Sequence, residues 1–452
     1  MPSPRRRHVI SPRAIKRYKT LLGLGLPIMA GMLSQSLMNL VDSALVGHLG
    51  EIPLAAVGTG SYLQFLATAF IMGLTSAVQA NIAQHKGAGD SHLFPRIFAS
   101  SLLLGLLVAI LISTTFIFCA ASLSQWVAAS SEVAHATEPY LFWRLIGLPG
   151  VVISLAVRGV LHGTQKPTVF LFWLALSHLL NALLSWTLIY GKAGMPALGV
   201  EGAGLGTTLA VYFSAAGLFI SQSKHLLHPL PKVNEWLNLK LFWQLAKYWI
   251  PQSLQQLSLS LSLAVFFTII GTLGNADQAI AHVLINLSLL LILPGVGLGM
   301  ASTTLVGQAI GQGEIKDAYR WGKQSVKLAS IILLVLALPL ICFPERILDL
   351  FLDSPELIAI AAPLLVLTAL MMVADSASLV LNHSLYGAGI GQLSMWIAIT
   401  TQWGFLLPLA WFAGPILGGG LLGIWVVQFL QRGLNSSLYL WIWKRQHRRS
   451  FS

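Results

Sequence analysis

Charge is scarce in this chain. Asp, Glu, Lys and Arg make up 9% of its 452 residues and hydrophobic residues 56%, which excludes a soluble globule sheathed in ionised groups. Cysteine is nearly absent: Cys119 and Cys342 rule out a disulfide framework, and both, set in apolar runs, are expected to be buried packing residues. Strict alternation of apolar and polar residues is missing too, so the continuous apolar runs exclude a β-barrel. Acids number 15 against 27 bases, a formal net charge of +12. The bases sit in short patches between apolar runs, a pattern of membrane topology and not of nucleic-acid binding. Met1 to Lys19 is basic but leads into a full spanning segment with no small-residue cleavage site, so it reads as a retained cytoplasmic end and not a signal peptide.

What is present is apolar length. With a mean hydropathy of +0.75 and about 20 residues needed to cross about 30 Å of hydrocarbon, the chain accommodates roughly twelve helices. Apolar runs place them near 21–46, 54–82, 96–120, 137–160, 168–190, 199–221, 245–270, 278–308, 324–343, 357–387, 391–413 and 419–443. The basic patches at Arg5 to Lys19, Lys86 and Arg96, Arg158 and Lys166, Lys224 to Lys247, Lys316 to Lys327 and Lys444 to Arg449 then share one side. Glu51, Glu132, Glu138, Asp277, Glu345, Asp349, Asp353 and Glu356 fall on the other, with Lys192 and Arg346 as basic exceptions. Both termini are expected in the cytoplasm of a bacterial cell with an inner-membrane, multi-pass topology. The expected divisions are a basic N-terminus (1–20), a first lobe (21–221), a linker (222–244), a second lobe (245–443) and a basic tail (444–452). Within the linker, Trp236, Leu237, Leu241 and Trp243 suggest an interfacial helix.

The halves are copies. Shifted by 224 positions, Pro27 falls on Pro251, Gly47 on Gly271, Gly50 on Gly274, Gly73 on Gly297, Gln84 on Gln308, Gly87 on Gly311 and Gly89 on Gly313. Chance does not keep that many glycines in register. Six helices per copy make the repeats parallel, two six-helix bundles related by a pseudo-two-fold axis along the membrane normal, an arrangement typical of transporters. Against this symmetry, Asp42 stands opposite Phe266.

A carboxylate deep in a span costs about 2.5 kcal/mol or more on insertion scales and marks a functional site by default. Asn39 and Gln35 precede Asp42 on one helical face, and together they offer oxygens to a proton or Na⁺. Ser177, Asn181 and Ser185 form a polar stripe on the fifth span, which Thr207 and Thr208 of the sixth can join. Asp375 is the rival acid, in the second lobe, and Arg144 and Arg432 can each snorkel or neutralise an acid. Pro27 and Pro251 each remove a helical hydrogen bond and invite a bend. His48, His85, His162, His178, His282 and His383 show no metal-ligand spacing. Gly202, Gly204 and Gly206 follow no strand and are helix-packing residues, not a phosphate loop. An intramembrane enzyme would need convergent catalytic groups, which this scatter does not supply.

Val41, Asp42, Ser43, Ala44, Leu45, Val46, Gly47, His48, Leu49, Gly50 resembles the first-helix motif of the multidrug and toxic compound extrusion (MATE) family. Leu305 to Gly311 is similar to that family's eighth-helix ending, Asn181 to Gly191 with Gly199 to Ala203 to its fifth and sixth helices, and Arg158 to Pro167 to the loop after its fourth. The resemblance implies an antiporter that expels amphipathic, often cationic compounds while H⁺ or Na⁺ runs inward, with no further cofactor. It implies ion coupling at Asp42, Asn181 and Thr207, with Ser185 and Asp375 beside them as candidates, and bending at Pro27. Gln35, Met38, Asn39, Tyr62 and Gln255 are the expected cavity residues. The partners would be such compounds and membrane lipid, without nucleic acid, and oligomeric state is not legible. Two departures stand out: Ser185 occupies a position where the DinF branch has aspartate, and Gln252, Gln255 and Gln256 stand where the NorM branch has a seventh-helix glutamate, although Asp375 resembles the NorM tenth-helix acid. A flippase for lipid-linked precursors, or a metabolite exporter, is the alternative within the superfamily.

Overall fold

A computed structural model describes residues 12–128, 130–226, 239–352 and 354–449, and no strand occurs among them. The first lobe comprises α1 (Pro12–Gly47), α2 (Glu51–Ala88), α3 (Phe94–Phe118), the short α4 (Ala120–Val127), α5 (Ser131–Ile146), α6 (Leu148–Gly163), α7 (Pro167–Tyr190) and α8 (Val200–Leu226). The second comprises α9 (Leu239–Gly271), α10 (Asn275–Gly311), α11 (Ile315–Cys342), the short α12 (Pro344–Leu348), α13 (Pro355–Ala374), α14 (Ser376–Gly387), α15 (Gly391–Ile399), α16 (Leu407–Trp411) and α17 (Gly420–Arg449). π-Helical turns at Thr400–Leu406 and Phe412–Ile416 join α15 and α16 into one span.

Ten spans are long and apolar enough to cross a membrane, and α5 with α6, bent by 43°, makes an eleventh. The twelfth, α17, is less apolar because Gln428, Gln431, Arg432, Asn435 and Ser436 share one of its faces, at helical spacing. The α5/α6 bend has a local cause. Pro149 has no N–H to donate to Leu145 O, and Ser113 Oγ bonds that carbonyl instead, at 2.8 Å. Met1 to Ser11 and the linker residues Trp236 and Leu237 lie outside the described residues, while Leu241 and Trp243 belong to the first turns of α9. Cys119 and Cys342 are exposed, not buried. An apolar run on a spanning helix is satisfied by lipid as well as by protein, so it does not mean an interior position.

The repeat is visible as equivalent contacts. Gly50 (φ 120°) and Gly274 (φ 134°) make the turns into α2 and α10, and Gly89 (φ 84°) and Gly313 (φ 75°) end those helices, all in backbone regions that side chains rarely adopt. Between the lobes, Gln84 Nε2 donates to Gly387 O at 2.9 Å, and its repeat partner Gln308 Nε2 donates to Gly163 O, the repeat partner of Gly387, also at 2.9 Å. Such reciprocity is what a two-fold interface requires. A Cβ on Gly87 would sit 2.0 Å from Gln308 O, and one on Gly311 would sit 1.9 Å from Gln84 O, so these backbones touch because the side chains are absent.

Other bonds extend this seam. Gln79 Nε2 reaches Met300 O at 2.7 Å and Thr304 Oγ1 at 2.9 Å; Trp249 Nε1 and Ser253 Oγ both donate to Phe70 O at 2.8 Å. Arg17 pairs with Asp317, and its guanidinium lies over the Trp321 ring, 5.0 Å from the centroid. All these contacts lie between mid-span and the basic loops. Among the described residues, the halves of the helices nearer the acidic loops make no hydrogen bond between lobes. The lobes are sealed at the basic end.

Candidate functional site

In the first lobe a cavity of about 180 Å³ lies between α1, α5, α6, α7 and α8. Asp42, Asn181, Thr207, Gln35, Met38 and Asn39 line it, as do Arg144, Arg158, Phe170 and His178. Asn181 Nδ2 donates to both Asp42 oxygens, at 3.0 and 3.1 Å. An ionised carboxylate only accepts, so the amide must present its nitrogen. Its other end takes the Ser185 hydroxyl at 3.4 Å, and Ser185, fully buried, serves Asn181 from behind without lining the cavity. Thr207 donates to Ala203 O at 2.9 Å within its own helix, which leaves its oxygen lone pairs free. Arg144 Nε donates to Gln64 Oε1 at 3.0 Å, with a second bond from Nη2.

Three polar rungs tie the far half of α1 to α7. Ser34 Oγ meets His178 Nδ1 at 2.6 Å, Asp42 meets Asn181, and Tyr190 Oη donates to Leu45 O at 2.6 Å. The near half belongs to the other lobe: Leu21, Leu24 and Ile28 pack against Met300, Ala301 and Leu305. Helix α1 therefore bridges both lobes, and Pro27 stands where its allegiance changes, inside a continuous helix. There the missing N–H leaves Gly23 O without its helical donor, so bending costs least at that point.

Helical spacing groups Gln35 and Asn39 with Asp42, and the family resemblance adds Asn181. The cavity also contains Arg158 and His178, the latter three residues before Asn181 on the same stripe. Tyr62 does not line this cavity. Gln255 is in the second lobe, where Tyr386 Oη donates to it at 3.1 Å. A larger, open depression of about 710 Å³ at the acidic end of the second lobe includes Asn275, Gln278 and His282 and, among the described residues, no carboxylate. No cluster of three His, Cys, Asp or Glu residues that could hold a metal occurs among the described residues.

Asp375 has a different setting. It is fully buried at the break between α13 and α14, accepts from Arg432 Nη1 at 2.7 Å and is also bonded by Ser378 Oγ. Arg432 on α17 thus neutralises it, as one of the two readings of that arginine anticipated. Removing one member of such a buried pair strands the other, at a cost of about 3–5 kcal/mol. Arg432→Gln is therefore expected to lower the melting temperature of the purified protein well below that of the Arg432→Gln/Asp375→Asn double variant. Equal melting temperatures for the two would show that the pair is not coupled.

Fold and site together define a twelve-helix, two-lobed membrane transporter. The model of the MatE family matches the chain twice, over residues 27–187 and 251–412, and the chain belongs to that family of multidrug and toxic compound extrusion transporters. The two matches begin 224 residues apart, the offset of the repeat. Similar proteins include a probable multidrug resistance protein NorM of Neisseria meningitidis, 24% identical with 95% of this chain and 94% of that protein covered. Another is a probable NorM of Bradyrhizobium diazoefficiens at 29% identity, covering 90% and 88%; MdtK of Yersinia pseudotuberculosis is 26% identical, covering 90% and 91%. Among solved structures, an outward-facing multidrug resistance MATE family transporter aligns with a TM-score of 0.89 at 21% identity, covering 99% and 100%. A MATE structure in the bent conformation aligns with a TM-score of 0.88 at 21% identity, covering 97% and 98%.

Proposed function

We propose that this chain is a secondary active efflux antiporter of a bacterial inner membrane, with both termini cytoplasmic, exporting amphipathic or cationic compounds in exchange for H⁺ or Na⁺. The observation that carries the reading is Asp42, held by Asn181 inside a cavity on a span whose two halves serve different lobes. With the basic end on the cytoplasmic side, the seal formed by Gln79, Gln84 and Gln308 closes the inward path, and the conformation is outward-facing. The named similarity of the curated relatives to multidrug resistance proteins supports export as the direction of transport.

In this reading the ionised Asp42 attracts a proton or Na⁺ entering from outside. Once neutralised, it no longer demands the Asn181 amide nitrogen or holds a cationic cargo, so the rung between α1 and α7 weakens and cargo leaves. The freed half of α1 then moves about Pro27, and because the other half packs against α10, the movement reaches the second lobe. Ion binding thus biases a two-state element, as alternating access requires. Asp375, already paired with Arg432, has a structural part in this scheme.

The test is a flux assay in proteoliposomes loaded with a cationic dye and given, separately, an imposed pH or Na⁺ gradient. Dye export driven by one gradient and abolished by dissipating it is expected. Flux indifferent to both gradients would refute antiport.

A further inference from the structure

The first-lobe cavity has a second charged end. Arg158 on α6 lines it, yet among the described residues it has no hydrogen bond and no ion pair. Its Nε is buried without an acceptor. What it does touch is the Phe170 ring, 5.5 Å from the centroid, and its charge acts on the imidazoles of His162 and His383. A guanidinium always carries its charge, and within a span it is expected to meet a carboxylate, a carbonyl or an anion. Arg432 in this same protein has its charge matched by Asp375 through Nη1, although its Nε is likewise without an acceptor among the described residues. Arg144 is bonded to Gln64. Arg158 is equipped with a cation's binding capacity and no intramolecular acceptor to use it on.

Its place in the cavity defines the ligand. Phe170, against Arg158, and Asn181, against Asp42, are both on α7, eleven residues or about 16 Å apart along the helix axis. Phe170, Leu174, Ser177, His178 and Asn181 mark a single face of α7 between them. The long arginine side chain shortens the gap between the charges themselves. The cavity therefore holds Asp42 toward one end, with the Gln64-bonded Arg144 close enough for its charge to act on it, and the Arg158 guanidinium toward the other, joined by a wall of mixed apolar and hydroxyl character.

We propose that Arg158 forms an anion subsite that pairs with the carboxylate, or an equivalent anionic group, of a zwitterionic amphiphile whose amine is held at Asp42. This deepens the efflux reading and rests on it for the direction of transport, but not for the binding itself. Pockets for drug-sized ligands usually measure about 300–1,000 Å³, so the present volume of about 180 Å³ means that such a ligand widens the slot. The rungs between α1 and α7 are the parts free to give way, since Gln35 and Asn39 at the mouth are exposed.

The experiment measures binding of a matched probe pair to the purified full-length protein by calorimetry: an arylpiperazine carboxylic acid, which is zwitterionic, and its methyl ester, which is a monocation. The wild type is expected to bind the acid at least about tenfold more tightly than the ester, consistent with one charge-assisted bond of about 1.5–3 kcal/mol. Arg158→Gln should remove that preference by lowering affinity for the acid at least about tenfold more than for the ester, and Arg158→Lys should restore part of it. Equal affinity of wild type for acid and ester, or equal loss of both in Arg158→Gln with normal thermal stability, would overturn the subsite. A zwitterionic phospholipid headgroup presents the same two charges. Displacement of the acid by added phosphatidylethanolamine would identify lipid as the natural source of the zwitterion, and its absence a soluble compound; the charge pairing is supported in either case. Loss of gradient-driven flux with acid preference intact would sink antiport but leave this subsite standing.

Discussion

Asp42→Asn is expected to abolish resistance conferred on a drug-sensitive host, with at least a tenfold fall in the inhibitory concentration of an exported cation, within the range of about 5–150-fold for couplings of 1–3 kcal/mol. The substitution is nearly isosteric and keeps a partner for Asn181, so membrane protein levels should match wild type by immunoblot. What it removes is the charge. An amide at position 42 neither takes up a proton nor attracts Na⁺, and the site is left permanently in the state that discharges cargo. In proteoliposomes the variant should show no gradient-driven flux while still allowing slow equilibration of the dye. Undiminished resistance in cells carrying Asp42→Asn would move the coupling site elsewhere, with Asp375 as the next residue to test by the same substitution.

The second large effect is expected at the seal. A methyl group on Gly311 would stand 1.9 Å from Gln84 O, and one on Gly87 would stand 2.0 Å from Gln308 O, in both cases against backbone that has no rotamer to change. Neither Cβ can be accommodated without separating the lobes at their basic end, and separation also breaks the paired glutamine bonds to Gly163 O and Gly387 O. Inverting a two-state population from 1:99 to 99:1 takes about 5.5 kcal/mol. The clash and the lost bonds together are of that order, so Gly311→Ala, and more strongly Gly311→Val, should populate the state opened at the basic end. Spin labels on the α2/α3 and α10/α11 turns should report longer distances in the variant than in wild type, and transport should stop. By pseudo-symmetry, Gly87→Val should do the same. Unchanged label distances in both variants would mean that this end does not open and close as a unit.

Much of the architecture was legible in the residues. Continuous apolar runs admit helices and no other spanning structure, because lipid offers no partner for an unbonded peptide group. Glycines recurring 224 residues apart reported positions where a side chain cannot stand: Gly50 and Gly274 for their backbone angles, Gly87 and Gly311 for their close approach. Helical spacing sufficed to place Asn39 and Gln35 on the face of Asp42, and the Ser177, Asn181, Ser185 stripe on one side of α7. The span that departed furthest from the apolar pattern, α17, did so for a reason its own sequence carries, a polar face at intervals of three and four.

Residues distant along the chain were another matter. Arg144 and Arg432 looked alike as isolated bases in apolar runs, and so did Arg158 in its basic patch. Only packing shows that Gln64 bonds the first, that Asp375 pairs with the second and that no acceptor among the described residues meets the third. Asp375 likewise stood in the sequence as a rival to Asp42, and only the fold shows that one faces a cavity and the other an arginine. Ser185 and Asn181 share one stripe in the sequence, and only the fold shows that the first orients the second. Spacing along a helix determines which residues share a face, because the helix repeats every 3.6 residues whatever surrounds it. It says nothing about which face of another helix comes to meet them. Periodicity and repeat therefore determined that this chain is two six-helix bundles with an acid in the first. Tertiary structure alone decided that the acid shares its cavity with an unpaired guanidinium and that its helix bridges both lobes, since both are facts of contact between distant segments.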